Sequence, residues 1–280
     1  MSDIKAGNRP SLPLSQPINN TDWLKVAAII LVSIDHTGYF FIENAQWWSV
    51  FGRLAAPVFF FLMGFAQSRK IPFRWIILGV FLTLLDSWNN EWAWVAPNIL
   101  LSFALIRFVR PYVQISAQKY GWGAFIFFHG VLIALIPFAG NIADYGAEGW
   151  LWALFGFYQR TYVNSVSNAK SYDAEGNTTH LLAGNINAMR FLSCLTTALA
   201  YLWAEQLEYN FAEIHLAVFI FTVGVLCIVL CVFRRTPSGI QPPIIIATSL
   251  RFVSRYTLEI YAIQLAGFEI ITLLFPDLAA

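Results

Sequence analysis

Charge is scarce in this chain. Asp, Glu, Lys and Arg make up 12% of 280 residues and nearly cancel, leaving a net charge of +1. Soluble globular proteins carry about 25% charged residues. A balance this thin offers no basic field for nucleic acid, so no nucleic-acid partner is expected. Disorder is excluded as well, because it needs few apolar residues and much charge. Cysteine is also sparse: Cys194, Cys227 and Cys231 all lie in apolar stretches, without the spacing of a zinc site or a disulfide scaffold. No P-loop, dinucleotide-binding glycine pattern, zinc motif or nucleophile elbow occurs. Asp173, Glu175 and Asn177 lack both the ligand spacing and the closing glutamate of a calcium loop. No metal is expected.

What the chain has is apolar surface. Apolar residues reach 58%, aromatics 17%, and the mean hydropathy is +0.60. A soluble sphere of this size cannot hide so much, so the surrounding solvent is read as lipid. Apolar runs fall at 24–42, 47–66, 72–86, 92–109, 122–139, 148–160, 186–204, 213–233 and 257–275, with a half-apolar stretch at 242–256. The fold class is therefore all-α, a polytopic transmembrane helical bundle of nine or ten spans. The runs 72–86 and 148–160 are short for a crossing and read as candidates for broken or re-entrant helices.

Loop charge sets the expected orientation. With the N-terminus inside, one set of loops collects Lys5, Arg9, Arg69, Lys70, Arg107, Arg110, Lys119, Arg160, Lys170, Arg234 and Arg235. The other set holds Glu43, Asp86, Glu91, Asp144, Glu148, Glu205, Glu208 and Glu213, with no Lys or Arg. The positive-inside rule then puts the N-terminus in the cytoplasm. Arg251 and Arg255 fit that map only if 242–256 lies along the interface. Residues 1–20, polar and proline-bearing, read as a flexible cytoplasmic lead-in to a single membrane domain over 21–280, and the polar stretch 161–185 reads as a cytoplasmic loop.

Ionisable groups inside spans are costly and mark function by default. Asp35 and His36 lie toward the outer end of the first span, and Arg53 falls at similar depth on the second. Helical neighbours point about 100° apart, so Asp35 is better placed to pair with Arg53 or a group on another helix than to orient His36. His36 is then left to face a cavity. The competing reading is a structural ion pair beside a satisfied histidine. His129, mid-helix after three aromatics, suits an interhelical hydrogen bond, and Glu259 is expected to pair with Arg251 or Arg255. Arg107, Arg110 and Lys119 form a basic cluster suited to anionic lipid head groups or nucleotide phosphates.

Three segments are similar to the opening of the TraX family: 22–28 (Asp22 to Ala28), 34–38 (Ile34 to Gly38) and 52–59 (Gly52 to Phe59). Residues 254–265, from Ser254 to Leu265, resemble that family's closing motif. The family is named for the conjugative-pilin N-terminal acetylase and is similar to the wider integral-membrane acyltransferases. The resemblance implies acetyl transfer from acetyl-CoA to an amine or hydroxyl, with pilin as a candidate acceptor, in a bacterial inner membrane. It implies His36 as general base, with Asp35 and Arg53 as its catalytic neighbours. Glu259, Tyr261, Gln264 and His129 become expected substrate contacts, and Arg107, Arg110 and Lys119 contacts to the donor phosphates. A donor on the cytoplasmic side and a site in the outer half imply a tunnel for the pantetheine arm. Gln264 stands where the closing motif commonly has histidine, and glutamine cannot shuttle a proton at neutral pH. A catalytically degenerate pilus-assembly or partner-binding protein, or a small transporter, are the other readings.

Overall fold

A computed structural model describes residues 17–68, 70–92, 94–139, 142–172, 178–240, 242–275 and 277. Most of the lead-in, Arg69, the segment 173–177 and the side chains of 168–184, including Lys170 and His180, lie outside the described residues. Among those described, the regular structure is helical throughout. The helices are α1 (Asn20–Phe41), α2 (Gln46–Gly52), α3 (Ala55–Phe65), α4 (Phe73–Asn89), α5 (Ile99–Tyr120) and α6 (Trp122–Ala139). They continue as α7 (Gly146–Tyr172), α8 (Thr178–Tyr209), α9 (Glu213–Val232), α10 (Ile244–Arg255) and α11 (Thr257–Leu274).

Among the described residues, five segments are long and apolar enough to cross a membrane: α1, the pair α2–α3, α5, α9 and α11. The outward faces carry large apolar side chains, with Phe127 62%, Phe221 70% and Ile228 67% exposed. Such a surface suits hydrocarbon and not water. The chain is a multi-pass membrane protein. Helix α10 has 12 residues, about 18 Å of length, and cannot cross a core roughly 30 Å thick.

Local chemistry sets the helix ends. The Asn19 side chain accepts from the backbone N–H of Thr21 and Asp22, and Asp22 accepts in return from the Asn19 N–H at 2.9 Å. This reciprocal cap starts α1. It is tied to the α9–α10 connection by Asn20 N–H to the Thr236 carbonyl and Ser238 N–H to the Ile18 carbonyl. The second span breaks at Arg53 and Leu54. Pro57 has no N–H to give the Arg53 carbonyl, and the Tyr201 hydroxyl donates to that carbonyl at 2.7 Å instead.

Helix α3 is the centre, with every residue from Ala55 to Phe65 buried. It packs on α7 where Gly64 lies against the Ala153 backbone and Gly156 against the Phe61 backbone; a Cβ at either glycine would overlap those atoms. Close backbone approach at small residues is how helices gain packing in lipid.

Two expectations are corrected. The runs 72–86 and 148–160 belong to continuous helices, of 17 and 27 residues, and the interrupted span is α2–α3. The described residues of the stretch 161–185 are helical and not loop: α7 continues to Tyr172 and α8 begins at Thr178. Polar side chains do not end a helix that satisfies its own backbone, and no proline or glycine falls between Thr161 and Tyr172.

Candidate active site

At the end of the bundle away from the α1 cap, α1, α2–α3, α4, α5, α8, α11 and the α4–α5 and α6–α7 connections enclose a cavity of about 310 Å³. Asp35 and His36 of α1 and Arg53 at the α2–α3 break all line it. Gly52 makes this possible, because any Cβ there would overlap Asp35. Arg53 Nε lies 3.8 Å from Asp35 Oδ1 and 3.7 Å from Glu205 Oε2, and one terminal nitrogen is 3.8 Å from Glu208 Oε1. Its guanidinium also sits 4.4 Å from the Tyr209 ring centre and 5.3 Å from that of Tyr145. The Nε itself is buried and has no hydrogen-bond partner.

Asp35 is thus committed to Arg53, and His36 stands apart. The His36 ring lies 5.6 Å from the ring of Tyr261, and its Nδ1 is buried without a hydrogen-bond partner. Tyr261 is held from the other side, its hydroxyl accepting from the Asn98 amide at 3.2 Å. Asn98 in turn caps α5 by accepting from the Leu100 N–H.

The other charged groups of the wall are acidic. Asp86, Asp144, Glu208 and Glu269 line the cavity with Asp35, against Arg53 as the one Lys or Arg among its lining residues. Asp144, in the connection before α7, is pushed up to about 6 by burial, opposed by the nearby Arg53 and by the Ile99 N–H that donates to it. Tyr145 beside it is pushed well up by the same desolvation. Asn89 donates to Glu269.

The other expected residues scatter. Tyr261 lines the cavity. Gln264 faces α1, its side-chain oxygen accepting from the Ser33 hydroxyl at 3.2 Å. His129 is buried elsewhere, its ring nitrogens 2.9 Å from Ser193 Oγ and 3.0 Å from the Phe125 carbonyl, so it links α6 to α8. Glu259 pairs at 2.6 Å with Arg74, and not with Arg251 or Arg255, because α4 packs directly on α11. Arg107, Arg110 and Lys119 do not meet at one site. Arg107 lines a second cavity near the α1 cap, Arg110 donates to the Gly64 carbonyl beside a third, and Lys119 sits by Tyr120 at the end of α5.

The second cavity holds about 270 Å³ and is lined by Lys25, Arg74, Arg107, Arg160, Arg235, Arg255 and Glu259. Phe59 and Leu258 line both this cavity and the one holding His36. No cluster of three or more metal-binding side chains occurs among the described residues. Sequence reasoning missed Glu205, Glu208, Asp144 and Tyr209 as wall and ion-pair groups, having read the three carboxylates only as loop charges. A signal for Glu205 and Glu208 was their i, i+3 spacing, which puts both on one helix face.

Fold and site define an all-α, multi-pass membrane protein with a polar cavity toward each end. The TraX protein family model matches residues 20–223, and the chain belongs to the TraX family. It is also 30% identical over 128 residues to an uncharacterized protein of Rickettsia prowazekii (strain Madrid E), covering 46% of this chain and 51% of that relative. The chain therefore spans about half the length of that curated relative. No solved structure matches it significantly.

Proposed function

We propose that the protein is an acetyltransferase that takes an acetyl group from acetyl-CoA, entering at the α1-cap end, and passes it to a primary amine at the opposite end. Loop charge supports a cytoplasmic α1-cap end in a bacterial inner membrane. The observation that carries the reading is the pair of cavities meeting at Phe59 and Leu258, one basic and one holding His36. A slender pantetheine arm passing between those side chains joins a cytoplasmic donor to an acceptor on the other face.

The acidic wall favours an ammonium over a hydroxyl, in keeping with a pilin N-terminal amine as acceptor. A wall carboxylate such as Asp144 takes the first proton. The amine then attacks the thioester carbonyl, a C–N bond forms and the C–S bond breaks. His36 accepts the second amine proton and returns it to the leaving thiolate. Arg53 Nε, buried and ion-paired with Asp35 and Glu205 but without a hydrogen-bond partner, suits the developing oxyanion.

Two cavities divided by a thin apolar wall also suit a transporter. The deciding experiment uses purified protein in liposomes with acetyl-CoA and a peptide amine. Wild type should acetylate the peptide, and His36→Ala should lose about 10²–10⁴-fold in turnover while melting normally. Full turnover in His36→Ala would remove the histidine from the reaction. Peptide-independent solute flux without transfer would favour transport.

A further inference from the structure

The third cavity, beside Arg110, is larger than the other two at about 660 Å³. It lies where α5 turns into α6 at Gly121 and where α7 and α8 pass that turn. Side-chain amides of Gln67, Gln114, Gln118, Asn164 and Asn185 reach it, together with the Thr161 hydroxyl. Arg110 and Arg160 line it as well, and among the described residues no Asp, Glu or Lys does. Its wall is therefore cationic and rich in neutral hydrogen-bonding groups. No described residue lines both this cavity and the one holding His36, whereas Gln67 and Arg160 also line the second cavity.

Composition changes abruptly past Arg110. Arg110 and Phe157 also line an apolar groove of about 180 Å³, whose other walls include Ile106, Val109, Val113, Phe128, Leu132 and Leu154. It follows α5 from Val113 back to Ile106, about 10 Å of helix rise. It reaches the outer surface at Val131, which is 41% exposed. Arg110 stands at the border, its Nε donating to the Gly64 carbonyl at 3.1 Å and its guanidinium 5.9 Å from the Phe157 ring centre. Aromatic residues fix the depth of that border. Tyr120 and Trp122 flank the α5–α6 turn with exposed rings, as at a membrane–water interface. From there α5 runs on into the apolar belt that Phe108 and Leu105 present outward.

We propose that these two joined spaces bind one anionic glycerophospholipid with a hydroxylated head group, of the phosphatidylglycerol type. The phosphate sits at Arg110, because a fixed guanidinium matches phosphate oxygens. The head-group hydroxyls meet the amides, and one acyl chain lies in the groove. An amphiphile matches both compositions at this depth, as basic pockets between membrane helices do for anionic lipids. A free nucleotide has no chain for the groove. A zwitterionic head group would bring its ammonium to a wall without a described carboxylate. The site does not rest on the acyl-transfer reading.

Native mass spectrometry reads the lipid retained by detergent-purified protein titrated with phosphatidylglycerol, phosphatidylethanolamine or phosphatidylcholine of equal chain length. Wild type should keep one phosphatidylglycerol with a preference of about tenfold or more, as a charged hydrogen bond supplies. Arg110→Gln should bring the three lipids near parity. Because Arg110 also fastens α5 to α3, Gln114→Glu/Gln118→Glu serves as a second variant. Gln118 is exposed, Gln114 is half-buried and both changes are nearly isosteric, so this variant should fold. Its carboxylates should repel the phosphate and abolish the preference, and neither position lines the second cavity. Glycerophosphoglycerol, the head group without chains, should compete roughly tenfold or more weakly than the whole lipid, for want of buried methylenes. Equal retention of the three lipids by wild type, or a preference that survives both variants, overturns the site. A head group that competes as well as the lipid removes the groove and the lipid assignment with it. If adenosine 3′,5′-bisphosphate binds instead and the double variant abolishes that binding, the cavity belongs to a nucleotide and the proposal falls.

Discussion

Arg53 organises more of the active-site cavity than its single charge suggests. Its guanidinium is shared among Asp35, Glu205 and Glu208 and lies close to two tyrosine rings, while its carbonyl takes the Tyr201 hydroxyl. That last bond follows from Pro57: the proline ring removes the N–H this carbonyl would otherwise accept from, and lipid offers no water to replace it. Tyr201→Phe keeps the ring but leaves the carbonyl unpaired. It should cost about 1–3 kcal/mol, the penalty for an unsatisfied buried acceptor, seen as a lower melting temperature in detergent. An unchanged melting point would mean the break is held elsewhere. Gln264 illustrates the same scale: its bond to Ser33 gives it a place between α1 and α11 that needs no proton transfer.

Among the elements, α3 and α7 set the frame. Their contact depends on Gly64 and Gly156, where backbone meets backbone. Gly156→Val should force the two helices apart and cost roughly 1–3 kcal/mol by overpacking. Gly224 on α9 is exposed with nothing within 4 Å of a Cβ, so Gly224→Val should change little. Equal melting points for the two variants would deny α3–α7 its special closeness. The two connections that interrupt helices also matter at this scale. The α2–α3 break falls at Arg53 and Leu54, and α10 gives way to α11 at Tyr256, so Phe59 and Leu258 each lie within two turns of a bend.

For the whole molecule, the decisive feature is that Phe59 and Leu258 are wall to both cavities. Phe59 is 4% exposed and packs toward Phe103. Phe59→Ala should join the two spaces and raise the passive flux of small ions across liposomes above wild type. If the folded variant leaks no more than wild type, the partition is thicker than these two side chains.

Composition and periodicity by themselves determined that lipid surrounds this chain, that it is helical, and that Asp35, His36 and Arg53 sit near one another. Those facts follow from apolar runs, from charges in them that lipid makes costly, and from a loop too short to separate two antiparallel helices. The Asp35–Arg53 pairing was legible for the same reason, since adjacent residues on a helix cannot share one direction. Only the tertiary structure decided which distant groups join them. Glu205 and Glu208 arrive on α8, and the basic cavity draws its charges from six places between Lys25 and Arg255. Arg107, Arg110 and Lys119 looked like one cluster because they are close in sequence. On a helix, three residues separate two side chains by about 4.5 Å of rise and twelve by about 18 Å, so nearness in sequence did not become a shared site. Which helix faces which is set by packing at glycines and bends, and no single segment of sequence encodes that.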